Sequence, residues 1–519
     1  MVAKGVIKKG EYFDSVTLML VARDASKIEG VLDAAIVMGT AQNKSILEMS
    51  EMLLDEFKNA SDNDLIIAVK AKDEAAAVSG LKKTEELLEK SRQKTTDSSE
   101  YMPKSIESAF KVLPGANMVI ISVAGKYAAE EAMKALQHDL HVMIFSDNVP
   151  KDKTLEIKKL GREKGLLVMG PDCGTAIING APLGFANVVN RGDIGIVSAA
   201  GTGLQEVSSI ISNEGGGISQ GIGTGGIDMK IDFGGLSFLT GLEALIADPQ
   251  TKIITLISKP PHPEVLARIG EVLKTNKKPV VAAFLGADPV LVRNIGAIPA
   301  SSLEEAALLS VSLSKDVSME QFNKEIEEGE NKLKELAKGL AKQLQPEQKY
   351  LRGLFQGGTL AYETQVILKD MIGDINSNVP LDQKLKLADS WRSVGHTVID
   401  LGEDEFTVGR PHPQIDFSLR NKRILEEARD KSVAIIYLDV VIGHGTNLNP
   451  GEELAPVIAE AKKAGNSLIV VSVTGTDRDP QNKSKIVKMY KDAGAVVLER
   501  NASASRLTGY ILQKSGGKQ

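Results

Sequence analysis

The segment GDIGIVSAAGTGLQEVSSIISNEGGGISQGIGTGG, residues 192–226, decides how this chain is read. Ile194–Val197 is a short apolar run, the mark of a strand covered on both faces. Ser198–Gly203 is a turn of small residues, and Leu204–Asn213 carries apolar residues at helical spacing. A strand that runs through Ser-Ala-Ala-Gly-Thr-Gly into a helix leaves the first N–H groups of the helix unpaired at the positive end of its dipole. Such an end holds phosphate or carboxylate, or it is a tight turn and nothing more. Two junctions of the same kind recur, LFQGGTLAY at 354–362 and YLDVVIGHGTNLN at 437–449. If two of them face each other, two dipoles converge on one anion, so a phosphate-like site is expected. Its candidate residues are Ser198, Gly201, Thr202 and Gly203; Gly223, Thr224 and Gly225; Gly357, Gly358 and Thr359; and Gly443, Gly445, Thr446 and Asn447.

Outward from this segment the pattern is strand and helix in turn. Met118–Val123, His141–Phe145 and Leu166–Met169 are apolar strands separated by helices at Tyr127–Leu136 and Leu155–Lys164. After Gly192 come strands at Ile253–Ile257 and Val280–Leu285. After Tyr350 come Gly353–Phe355, Val433–Leu438, Ser467–Val473 and Ala495–Glu499, with helices at Leu419–Asp430 and Leu454–Ala464. Continuous apolar strands predict parallel, doubly wound α/β sheets. Residues 1–95 differ. Strands at Ser15–Ala22, Asp33–Met38 and Leu65–Ala71, with helices at Asp24–Leu32 and Asp73–Arg92, predict a small α+β domain of ferredoxin-like kind. Gln93–Glu100 is a linker by composition, and the Glu/Lys-rich stretch 315–345 a solvated connecting helix.

Composition narrows the function. The 519 residues suffice for about three or four domains. A net charge of −6 with aromatics at 4% gives no footprint for nucleic acid. One cysteine, Cys173, excludes a disulfide framework and cysteine-rich metal sites, and reads as buried and structural. No metal-ligand spacing appears among the six histidines. No apolar run of about 18 residues spans a membrane, and the N-terminus lacks a secretory h-region; a cytoplasmic protein is expected.

The runs GPDCGTAIING (170–180) and RGDIGIVSAAGTGLQEV (191–207), then GIGTGGID (221–228), DPQTKIITLI (248–257) and KKPVVAAFLG (277–286), resemble the α-subunit of succinyl-CoA synthetase and its NDP-forming acyl-CoA synthetase relatives. From Tyr350 onward the chain resembles the C-terminal domain of the β-subunit of the same enzymes. With the N-terminal unit and GRPHPQID (409–416), it is similar to FdrA-type proteins, a group that includes the large subunit of oxamate carbamoyltransferase. The resemblance implies a CoA-binding-like Rossmann domain at 100–188, a flavodoxin-like domain at 189–312, a helical linker at 313–346 and a second flavodoxin-like domain at 347–519. It implies that Gly201 and Thr202 face Gly443–Asn447 across a phosphate, with Gly357–Thr359 opening a neighbouring helix.

Departures from the family shift the expected chemistry. The phosphohistidine run Gly-His-Ala-Gly-Ala-Ile corresponds to 293–298, where Asn294 replaces the acceptor and an amide cannot carry a phosphoryl group. His262 is the other candidate acceptor. The Gly-rich turn that opens the family's coenzyme domain is missing, which puts coenzyme A in doubt, and no nucleotide-binding ATP-grasp segment can be placed. A carbamoyltransferase is therefore expected, interconverting oxalurate plus phosphate with oxamate plus carbamoyl phosphate, in a hetero-oligomer with partner subunits. In it Arg410 would hold the substrate carboxylate, and His412 or His444 would polarise the carbonyl or move protons, with Asp439 and Asp416 orienting them. The alternatives are an NDP-forming acyl-CoA synthetase and a non-catalytic subunit that binds an acyl phosphate or coenzyme A.

Overall fold

Residues 1–11, 13, 15–96, 103, 105–407 and 411–515 are described by the structure, a computed structural model. The chain divides into two compact units, one of residues 1–115 and 402–416, the other of residues 116–401 and 417–519. In the first unit, β1 (Val2–Lys8), α1 (Ser15–Ser26), β2 (Val31–Met38), α2 (Ala41–Met49), β3 (Leu65–Ala71), α3 (Glu74–Thr96) and α4 (Ile106–Val112) follow in order. β3 is the centre of a three-stranded sheet and pairs antiparallel with β1 and β2. Its alternate residues serve two small cores: Ile66 and Ala68 pack with Leu47 and Phe57, while Leu65 and Ile67 pack with Leu18, Val21 and Leu88. This is the expected α+β class, with local corrections. Ser15–Ala22 is helical: Leu18, Val21 and Ala25 are the buried positions, at spacings of three and four that alternation conceals. Asp24–Leu32 is the end of α1, a turn and the start of β2, and β1 was not foreseen. Residues 97–100 of the expected linker lie outside the described residues.

The second unit opens with β4 (Met118–Ile121), α5 (Gly125–Gln137), β5 (His141–Ile144), α6 (Lys151–Lys164) and β6 (Val168–Met169), a three-stranded parallel sheet. The hairpin β7 (Thr175–Ile178) and β8 (Ala181–Gly184) leaves that sheet and joins the edge of the next one.

That next sheet comprises β9 (Arg191–Ser198), β10 (Ile218–Gly223), β11 (Ile253–Ser258), β12 (Val280–Phe284) and β13 (Ile298–Pro299), interleaved with α7 (Gly201–Asn213), α8 (Leu236–Ala247), α9 (Pro263–Leu273), α10 (Pro289–Asn294) and α11 (Leu303–Ser314). Its parallel order β13-β12-β11-β9-β10 is flavodoxin-like, with the topological switch at β9, and β10 carries the antiparallel β7–β8 edge. α12 (Met319–Ala341) connects to the last domain and buries Phe322, Ala337 and Leu340.

The last domain repeats the plan. It runs β14 (Tyr350–Phe355), α13 (Gly358–Ile372), β15 (Ile375–Ser377), β16 (His396–Asp400), α14 (Asp404–Thr407, in the segment that belongs to the first unit), α15 (Ser418–Glu427), β17 (Val433–Val441), α16 (Pro450–Ala464), β18 (Leu468–Thr474), α17 (Lys483–Asp492), β19 (Val496–Leu498) and α18 (Asn501–Ser515). All six strands are parallel, in the order β15-β16-β14-β17-β18-β19, and the switch falls at β14. All nine residues of β17 are buried, which is why that strand reads as an unbroken apolar run. One hydrophobic core runs through both flavodoxin-like domains, from Ile194 and Leu204 to Leu360 and Ile511.

Candidate functional site

At each switch point a strand ends and a helix begins, and the two helix starts meet. α7 is entered through Ala200, in an extended conformation, with no side chain capping it. α13 is entered through Gly357, also extended and also without a side-chain cap. A Cβ added to Gly357 would lie 2.9–3.0 Å from the side chain of Thr202, and one on Gly203 would lie 3.2 Å from Thr359 Cγ2. Each helix therefore presents a glycine to the threonine of the other. The positive ends of two dipoles are pressed together, an arrangement that favours negative charge between or beside them.

That charge is supplied unequally. Asp439, fully buried at the end of β17, accepts from Gln356 N at 2.7 Å and Gly357 N at 2.9 Å, so the approach to α13 already holds a carboxylate. A Cβ on Gly358 would collide with the Asp400 carboxylate. Burial pushes the Asp439 carboxyl up to about 6, against the opposing pull of Arg420 and the two N–H donors. The register-equivalent position in the other domain is Ile257, one residue beyond the partner of the third residue before the cap. Its Cγ2 lies against the Cβ position of Gly203, so α7 begins over an apolar side chain. Gly201 and Thr202 are half-buried, and Thr175 Oγ1 is 3.4 Å from a Cβ on Gly201. Lys259 follows Ile257 by two residues and reaches over the Tyr362 ring of α13 at 4.9 Å. The α7 end thus has a helix start without a side-chain cap and a half-buried Thr202, while the Thr175 hydroxyl beside it donates to Phe185 O at 2.7 Å.

Behind the two helix starts lies a reciprocal arrangement. Glu206, on α7, accepts from Asn501 N at 2.8 Å, where α18 of the other domain begins, and from Thr474 Oγ1. Glu363, on α13, accepts from Leu303 N at 2.6 Å, where α11 begins, and from Asn501 Nδ2 at 2.7 Å. Each domain's first helix caps the last helix of the other. Burial raises both carboxyls, Glu363 to about 7.

The remaining sequence candidates separate from this pair. The 443–447 turn does not oppose α7 as expected. His444 N donates to Ala186 O at 2.9 Å, and Gln481 donates to Gly443 O, Thr446 Oγ1 and Asn447 O while accepting from Gly443 N. Gly445 and the His444 side chain are exposed, and α16 starts only at Pro450. Gln481 and Ala186 thus take up both polar groups of Gly443, the His444 N–H and the carbonyl of Asn447, and the helix start that meets α7 is that of α13. Ser198 is buried, its hydroxyl bonded to Ala200 and its carbonyl to Thr224 N. Gly223 and Gly225 are glycine because the backbone oxygens of Thr175 and Pro171 occupy the Cβ positions. Asp228 is fully buried, 2.9 Å from Lys158 Nζ, and accepts from Phe238 N at the start of α8.

Among the histidines, His262 caps α9, its Nδ1 accepting from Glu264 N at 3.3 Å. Asn294 is exposed at the end of α10. His412 belongs to the first unit, where its Nδ1 accepts from Gln414 N and burial pushes its imidazole down to about 4. Asp416 lies in the same segment, and its N–H donates to His412 O. Arg410 lies outside the described residues. Cys173 is buried, its thiol pushed up to about 12 by desolvation. Among the described residues no cluster of three or more His, Cys, Asp or Glu could hold a metal ion, and no helix is long and apolar enough to cross a membrane.

Arg420, Ile257, Lys259, Glu206 and Glu363 carry no mark of their placement in the sequence. Arg420 is wholly buried on α15, its guanidinium 4.6 Å from the Phe417 ring, and Nη1 donates to Asp439 O at 2.6 Å. In sequence it is one arginine of a polar helix, with nothing to mark it as interior. Asp439 was legible, as a lone acid in an apolar strand.

A tandem of flavodoxin-like domains with helix starts meeting at the switch points defines a CoA-ligase-type protein, and the comparisons agree. The CoA-ligase family model matches residues 354–511, and the model described as AllF, heavy metal-associated domain, matches residues 1–103. The chain is 43% identical over 519 residues, 99% of its own length and 98% of the relative's, to the uncharacterized protein YahF of Escherichia coli (strain K12), and it belongs to the family of that protein. It is 30% identical over 180 residues to the mitochondrial succinate–CoA ligase [ADP-forming] subunit alpha-2 of Trichomonas vaginalis, spanning 33% of this chain and 57% of that subunit. The structure of ATP citrate lyase from Methanothrix soehngenii in complex with citrate and coenzyme A superposes with a TM-score of 0.36 at 21% identity, over 42% of each chain. These findings overturn the transferase expectation: the family model is that of CoA ligases and the matching enzyme is a succinate–CoA ligase subunit, so the chain is acyl-CoA-synthetase-like.

Proposed function

We propose that this chain is the acyl-phosphate-handling part of an acid–thiol ligase, joining a carboxylic acid to coenzyme A at the expense of a nucleoside triphosphate. The observation that carries the reading is the uncapped start of α7, half-exposed at the switch point and pressed against α13. The phosphoryl group of an acyl phosphate would lie on the N–H groups of Gly201, Thr202 and Gly203, with Thr202 and Thr359 hydroxyls as further donors and Lys259 as counter-charge. These groups do not change protonation during the reaction; they disperse the charge on the departing inorganic phosphate as the thiol sulfur of coenzyme A bonds to the acyl carbon, the carbon–oxygen bond to phosphate breaks and the thiol proton passes to solvent. With Asn294 at the family's acceptor position, the phosphoryl group is held without a covalent bond to this chain. Nucleotide binding falls to a partner subunit.

Succinate is the first acid to try. Purified protein, supplemented with the products of neighbouring genes, is incubated with ATP, coenzyme A and succinate, and thioester is measured by chromatography. Thioester whose formation falls at least tenfold when α7 is blocked is the expected result. No thioester from any of a panel of short carboxylic acids, together with no binding of inorganic phosphate, overturns the proposal. Acid-labile phosphate on His262 would replace the non-covalent route.

A further inference from the structure

Three arginines of the last domain are buried, and two of them are fully bonded. Arg352 donates through Nε to Glu427 at 2.9 Å, through Nη2 to Asp430 at 3.2 Å and through Nη1 to Leu351 O and Gly395 O. Arg423 donates through Nε to Glu427 at 2.7 Å, through Nη2 to Ser393 Oγ at 2.9 Å and through Nη1 to Trp391 O. Arg420, one turn before Arg423 on the same helix, is the exception. Among the described residues only Nη1 has an acceptor, Asp439 O at 2.6 Å and, at 3.5 Å, Asp439 Oδ1; Nε and Nη2 are buried with none.

The two free nitrogens form one edge of the guanidinium. Their N–H bonds run parallel, at the spacing of the two oxygens of a carboxylate, which is the side-on geometry of bidentate pairing. Leaving such an edge desolvated and unpaired is costly, and a hydrogen-bonding occupant removes the cost. Asp439 cannot turn to fill it, because its oxygens are engaged by Gln356 N and Gly357 N. Phe417 covers a ring-like face of the guanidinium and leaves the edge alone. Charge also selects the occupant. Arg420 carries one positive charge with Asp439 beside it, so a singly charged carboxylate suits the position better than a phosphate dianion.

We propose that the Nε–Nη2 edge of Arg420 is the receptor for a carboxylate of the ligand, the acid substrate on the ligase reading above, on which this assignment of the ligand rests. Arg420 and α7 then divide the two anions of the reaction, carboxylate at one and phosphate at the other.

The test is isothermal titration of the full-length protein at constant ionic strength with succinate, acetate and inorganic phosphate. Wild-type protein should bind succinate. R420K keeps the charge and the Phe417 contact but loses the parallel edge, and should weaken succinate binding at least about tenfold while leaving phosphate binding unchanged. R420Q should do the same; where it fails to fold, R420K decides alone. Absence of carboxylate binding to wild-type protein, or equal succinate affinity in both variants, overturns the proposal. Loss of phosphate binding alone, with the Arg420 dependence of succinate intact, would instead count against the α7 site and leave this one standing.

Discussion

Residues 189–312 and 347–519 follow one plan, down to a glutamate five residues into the first helix, yet those first helices start under different charge. The start of α13 is approached by Asp439 and Asp400; that of α7 lies over Ile257. A first strand inside a parallel sheet, the helix dipole and the glycine–threonine step are common to both. At one register position Asp439 stands by the start of α13 and Ile257 by that of α7, so the first start is met by a carboxylate from within and the second is not. A Gly-rich turn is thus a site or a filled corner according to what the neighbouring strand points at it, and that neighbour is tens of residues away in the chain.

The strongest way to break the contrast is Ile257→Asp, which places a carboxylate over α7 as Asp439 stands by α13. It should abolish phosphate binding by titration and any thioester formation, and lower stability by about 3 kcal/mol for the buried charge. Retained phosphate binding would show that the α7 start is not the site.

The reciprocal glutamates give a pH test. Glu363 has its folded carboxyl raised from 4.5 to about 7. The folded state therefore holds this proton more tightly than the unfolded chain, so stability falls as pH rises from about 4.5 through 7, by roughly 3 kcal/mol in total. Urea unfolding of wild-type protein and E363Q across that range should show a steeper decline in the wild type; parallel curves would place the charge elsewhere.

A smaller effect sharpens how closely the helix starts meet. Gly357→Ala should cost about 2 kcal/mol because its Cβ runs into Thr202, and Thr202→Ser should recover part of it. A double-mutant cycle with no coupling would separate α7 from α13.

Strand–helix alternation, the parallel sheets and the Gly/Thr helix starts were legible because they rest on local pattern; which two starts meet was not, since 443–447 was expected opposite α7 and α13 stands there. Three things were not. SVTLMLVA at 15–22 alternates and also has helical spacing, and only the packing of Leu18 and Val21 on β3 decides for helix. GHGTN at 443–447 has the composition of an anion turn, but Gln481, reaching over from the loop before α17, binds Gly443, the Thr446 hydroxyl and the Asn447 carbonyl and holds it in place. Arg420 resembles any other charged residue of a polar helix until the fold encloses it. In each case the deciding atom is distant in sequence.

The crossed caps of Glu206 on α18 and Glu363 on α11 bear on how the chain can be divided. Cut within residues 313–346, each half would leave the start of its last helix without the acceptor that the other half provides. Two such fragments, produced as separate polypeptides, should be poorly folded alone and assemble in equal numbers when mixed, behaving as the two subunits of a heterodimer.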